Sequence, residues 1–117
     1  SVMVKGMEAL TVECFRAAAR AGVAEEVANS LDASEGGLGW AEQTAYNMER
    51  MTAHGIRRAA EMREVAKTLR GLDVAPAMTT GTISWEEEMG ALDLSLDSGT
   101  PLAEQLTLIE RALEKGE

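Results

Sequence analysis

Two adjacent arginines, Arg57 and Arg58, follow His54-Gly55-Ile56 and open a stretch of helical pattern that closes at Gly71. If a helix restarts at Gly55, both guanidinium groups stand in its first turn. The free N–H groups and positive dipole end there already favour an anion. A cation in that turn costs roughly 0.3–1 kcal/mol on helix grounds alone, so the pair reads as a bidentate site for an acidic small molecule. The spacing also allows a plainer role. Arg57 reaches Glu61 at i+4 and Arg58 reaches it at i+3, and exposed pairs of this kind contribute about 0.3–0.5 kcal/mol. The chain path separates the alternatives: a helix unbroken through residues 53–56 removes the dipole argument. His54, at this junction, either caps the preceding helix or lines the same pocket.

Other chemistry is thinly represented. Cys14 falls on an apolar stripe and reads as core rather than nucleophile. One histidine and one cysteine make no zinc set, and no loop has the alternating Asp/Asn pattern of a calcium site, so no metal is expected. Glu86, Glu87 and Glu88 read as a solvated run. The seven methionines lie mainly on inward stripes, as core filling or, alternatively, as a groove for a partner helix. No Ser/His/Asp or Cys/His set, paired-carboxylate site or phosphate-binding glycine loop stands out, and no catalytic residue is assigned to the chain.

The elements that must position these residues are helices. The first is expected from Val2 to Ala21, with Met3, Met7, Leu10, Cys14, Ala17 and Ala21 as one stripe and Val12, Phe15 and Ala19 outside it. Apolar over so much of its girth, it reads as the central helix, with Gly22 as C-cap. A short helix from Val23 to Leu31 turns Val27 and Leu31 inward, and Asp32 to Gly39 reads as a loop. The third helix covers Trp40 to Ala53, with Ala41, Ala45, Met48 and Thr52 at helical steps. The fourth follows Gly55, its apolar face being Ile56, Ala59, Met62, Ala66 and Leu69. Pro76 opens a fifth, with Met78, Thr82, Trp85 and Met89 on one face. Thr100 and Pro101 start the last, whose inward stripe is Leu102, Leu106, Ile109 and Leu113. No strand pattern and no solenoid repeat appear. The expectation is one all-α domain, a compact bundle of about six helices around a long apolar first helix.

With 117 residues, 45% of them hydrophobic, the chain can build one real core. Its net charge of −9 argues against nucleic acid. Lys5 and Glu8 interrupt the mildly apolar start, which excludes a signal peptide or membrane span there, and the lone cysteine fits a reducing, cytoplasmic setting. Ser1 stands where a start would place Met, and helical periodicity is under way at residue 2 without a preceding cap, which reads as a cut.

Ser1-Val-Met-Val-Lys-Gly-Met-Glu-Ala-Leu, then Arg20-Ala-Gly-Val, then Arg57-Arg58-Ala-Ala-Glu-Met with the later Gly71 and Pro76, together resemble a known family. It is the C-terminal helical domain of NAD-binding, 6-phosphogluconate dehydrogenase-like oxidoreductases, relatives of the β-hydroxyacid dehydrogenases. The resemblance runs from Ser1 to about Trp85. It implies a Rossmann domain ahead of this one, NAD or NADP bound there and not by this chain, and hydride transfer on a small acidic hydroxy compound. It places the catalytic lysine just upstream of Ser1, since Lys5 lacks the Asn four residues on that the family carries. It also implies a substrate-facing basic residue in the stretch Arg57 to Glu61, with Lys5 near the mouth of the same cleft. The substrate-binding candidates are therefore Lys5, His54, Arg57, Arg58 and Glu61, in a chain inactive by itself. A homodimer through helices one to three is expected. The competing expectation is a stand-alone helical interaction module.

Overall fold

The computed structural model describes residues 1–34, 39–97 and 99–115, and all regular structure among them is helical. Five helices follow one another: α1 (Val2–Arg20), α2 (Ala24–Ser34), α3 (Trp40–Gly71), α4 (Ala77–Gly90) and α5 (Leu102–Lys115). None is long and apolar enough to cross a membrane. The expected loop begins later than its glycines suggest, because α2 runs on to Ser34; residues 35–38 of that loop lie outside the described residues.

The largest departure from expectation is α3. The third and fourth expected helices are one, continuous through His54 and Gly55. Gly55 is needed for a different reason. It lies where α4 folds back across α3 and meets Gly90, and a Cβ on Gly55 would sit 2.8 Å from the Gly90 nitrogen. The reverse holds too, since a Cβ on Gly90 would come within 2.6 Å of the Ile56 nitrogen. The two backbones touch, and only glycine permits it. A glycine inside a helix is as compatible with close packing as with a break.

The helix ends are conventional. Ser1 caps α1, its Oγ accepting from the Val4 N–H at 3.1 Å, so the first helix does have a cap. α1 closes in a Schellman turn with Gly22 left-handed (φ 75°), the Val23 N–H donating to the Ala18 carbonyl at 2.9 Å. α3 closes the same way, but its left-handed residue is Asp73 (φ 60°), with the Val74 N–H donating to Leu69 at 2.9 Å. Gly71 is merely the last helical residue. Pro76 precedes the first turn of α4.

The core gathers Val12 and Phe15 of α1, Ala28 of α2, Ala45, Met48 and Met51 of α3, Met89 of α4, and Leu102, Leu106 and Ile109 of α5. Val27, Leu31 and Leu113 pack against its edge as expected. For α1, however, the buried face is Glu8, Ala9, Thr11, Val12, Phe15, Arg16 and Ala18. The apolar stripe expected to point inward points out: Met3, Met7 and Leu10 are exposed, as is Cys14, and Val4 beside them is exposed too. Two stripes compete on this helix, and the one holding Phe15 and Val12 won because it meets α3, α4 and α5 together. Ile56 and Met78 are likewise exposed rather than inward.

Candidate functional site

Polar residues on the buried face of α1 decide where chemistry can sit. Thr11 donates from Oγ1 to the Glu8 carbonyl at 2.8 Å and accepts from Asn47 Nδ2 at 3.1 Å, and Asn47 Oδ1 accepts from Gln43 at 3.1 Å. This chain of bonds fixes α1 against the first turns of α3. One helical turn before Thr11, the Glu8 carboxylate meets Arg58. Arg58 Nη1 donates to both carboxylate oxygens, at 2.6 and 2.5 Å. Both residues are more than nine-tenths buried.

From the third side, α4 presents Glu86. It is fully buried; among the described residues no donor reaches either carboxyl oxygen, and its side-chain hydrogen bond is with the Glu8 carboxyl. Burial, and then the Glu8 carboxyl beside it, push its pKa up to about 8, against the opposing charges of Arg58 and Lys5. At neutral pH Glu86 is therefore an uncharged acid. Three ionisable side chains thus meet where α1, α3 and α4 cross, Glu8, Arg58 and Glu86, with Lys5 near enough for its charge to act on Glu86.

Beside this junction lies a groove of about 530 Å³ between α1 and the first half of α3. Its floor includes Glu8, Arg58, Thr11 and Asn47, and its walls are Met3, Val4, Met7, Trp40 and Tyr46. Apolar walls over a few fixed polar groups are the usual make-up of a small-molecule pocket.

The five substrate-binding candidates separate in space. Arg58 is buried in the junction, while Lys5 stands on α1 outside the groove lining, near enough for its charge to act on Glu86. Arg57 points to solvent, where its guanidinium pairs with Glu61 at 2.9 Å. Arg58 makes no such pair with Glu61; its charge goes inward to Glu8. His54 is part-exposed on α3, and partial desolvation followed by the charges of Arg50, Arg57 and Arg58 holds its pKa below the ordinary value. Because α3 is unbroken, no helix N-terminus faces the arginine pair, and the anion site expected from the dipole does not exist.

Glu8 and Glu86 are the site residues that sequence reasoning missed. Glu86 belongs with Thr79, Thr82 and Met89, all buried on one face of α4. That i, i+3, i+7, i+10 spacing was readable, but three consecutive glutamates suggest solvent. Only Glu87 and Glu88 behave so, Glu87 pairing with Arg63 and Glu88 with Arg16.

The family model described as "Domain of unknown function (DUF1932)" matches residues 18–89. Among solved structures, the fold is shared with a conserved hypothetical protein from Sinorhizobium meliloti 1021, at 30% identity and a TM-score of 0.84. That likeness covers 95% of this chain but 38% of the other, so the chain spans well under half of its length. No curated protein matches the chain.

Proposed function

The chain belongs to the DUF1932 family, and we propose that it is the substrate-binding and dimerisation domain of an NAD(P)-dependent oxidoreductase acting on a small acidic hydroxy compound. One observation carries the reading. Arg58 of α3 is buried against Glu8 of α1, and Lys5, three residues before Glu8, stands near enough for its charge to act on Glu86 at the same junction; both are singled out by the likeness to 6-phosphogluconate dehydrogenase-like enzymes. A pocket-sized groove opens beside the junction. The longer Sinorhizobium relative leaves room for a nucleotide-binding domain outside the matched region.

Within this reading the roles divide by burial. Lys5 is half-buried and stands on α1 outside the groove lining, so its positive charge meets a substrate carboxylate from beyond the rim. Arg58 is neutralised by Glu8 and acts as a positioning residue, keeping the groove floor and α1 in register with α3. Arg57, Glu61 and His54 lie outside the groove lining and have at most a peripheral part. The cofactor is assigned, on this reading, to residues outside the chain. The two arginines that would suit a pyrophosphate are each committed to a carboxylate, so no step is assigned to the cofactor here. Hydride transfer and the catalytic lysine belong, on this reading, to residues outside the chain.

The outward stripe of α1 is the proposed surface for a second copy. Met3, Met7 and Leu10 stand exposed at helical spacing, and uncovered apolar stripes of this kind mark association surfaces. The same stripe also favours a second reading, a stand-alone module gripping a partner helix.

Turnover separates the two. The full-length protein, assayed with NAD and NADP against a panel of small hydroxy acids, is expected to reduce the cofactor, and Lys5→Ala to raise KM for the acid substrate. The 117-residue chain alone is expected to be inactive. A full-length protein without turnover on any of them, while its short chain binds a heterologous helix, would establish the module instead.

A further inference from the structure

Glu86 is the group in this molecule whose placement is hardest to justify by stability. A carboxyl group with no exposure and no donor reaching either of its oxygens carries a desolvation cost that an apolar side chain would avoid, and its side-chain hydrogen bond with the Glu8 carboxyl lasts only while it keeps its proton. It sits on the turn of α4 that passes closest to Gly55, so it cannot drift outward without parting the glycine contact. The charged groups that face it are Glu8 and Lys5 from α1 and Arg58 from α3. Glu8 already occupies the guanidinium. On its own helix, Glu87 and Glu88 point away to Arg63 and Arg16.

We propose that this junction is a proton-controlled clasp: α1 seats against α3 and α4 only while Glu86 holds a proton, and release of that proton to solvent lifts the N-terminal half of α1, with Lys5 and the groove floor. The geometry dictates the direction. A second carboxylate in the junction would compete with Glu8 for one guanidinium, and the other cation facing it, Lys5, is only half-buried. Opening α1 hydrates Glu86 and lets it ionise at its ordinary value. The clasped state holds the acid's pKa at about 8 against an ordinary carboxyl value of 4.5, so it binds the extra proton throughout that window. The clasp is strongest below the ordinary carboxyl value. It weakens as pH rises towards about 8 and changes no further above it. Glu86→Gln, which cannot ionise, removes this dependence.

Amide hydrogen exchange of the 117-residue chain between pH 5.5 and 8, corrected for intrinsic exchange rates, tests the clasp. Protection over Lys5–Thr11 is expected to fall about tenfold per pH unit relative to Glu86→Gln, while protection in α5 moves no more than global stability requires. Equal pH dependence in the two proteins, or a loss spread evenly over all helices, would overturn the proposal. A carbon-13 titration of the wild-type Glu86 carboxyl needs no variant. A midpoint near 8 supports the clasp, and a midpoint in the ordinary carboxyl range defeats it.

Discussion

Two ionic clusters lie on the same buried face of α1, eight residues apart, and they are built on opposite principles. At Arg16 the cation is buried but its partners are not. Glu88 at 3.3 Å and Glu110 at 3.4 Å remain partly exposed, Arg20 shares Glu110 at 3.0 Å, and the Trp85 ring lies 5.3 Å from the guanidinium. Trp85 in turn donates to Glu13 at 3.1 Å. Water reaches the carboxylates, and every charge has company. At Glu8 both partners are buried and a third ionisable group, Glu86, is shut in beside them with no donor reaching its oxygens. The first cluster ties α1 to α4 and α5 at small electrostatic cost. The second carries a cost that a purely structural joint would not need, and proteins tolerate such costs chiefly where function is served.

Removing the central cation of each cluster should separate them most. Arg58→Met leaves the Glu8 carboxylate buried without its counter-ion and is expected to cost about 3–5 kcal/mol. Arg16→Met leaves Glu88 and Glu110 able to turn to solvent and is expected to cost about 1 kcal/mol, mostly through lost packing on Trp85. Urea unfolding at pH 7 reads both, and equal costs would erase the distinction. A smaller effect sharpens it from outside. Arg57, next in sequence to Arg58 but paired with Glu61 in solvent, is expected to change stability by less than about 0.5 kcal/mol on replacement by Ala. A larger loss by the same measurement would place Arg57 in the structural framework with its neighbour.

Much of this arrangement was legible in the sequence. The all-α class, the inward faces of α2 and α5, the Schellman glycine at Gly22 and the start of α4 after Pro76 follow from periodicity and cap chemistry. Three features did not follow, each for a physical reason. Gly55 has the same letter whether it breaks a helix or admits another backbone, and only the presence of Gly90 across the crossing decides. On α1 two apolar stripes coexist, and periodicity cannot say which meets the core and which is left for a partner. Glu8 and Glu86 are charged residues at inward positions, where the ordinary preference for solvent misleads. Of the five candidate site residues, Arg58 faces the crossing from α3, and Lys5 on α1 stands near enough for its charge to act on Glu86 there. Arg57 does not face it, because a residue next to Arg58 on a continuous helix is turned by about 100° from it, and Glu61 stays with Arg57 in solvent.

The proposal that this domain forms one wall of a dinucleotide-dependent active site is tested most directly by a crystal structure of the full-length protein with NAD(P) and a small hydroxy acid bound. The expected result places the acid at the groove beside Lys5 and the Glu8–Arg58 pair, with the outward stripe of α1 covered by protein. An acid bound elsewhere, with that groove and the stripe Met3–Met7–Leu10 open to solvent, would contradict it.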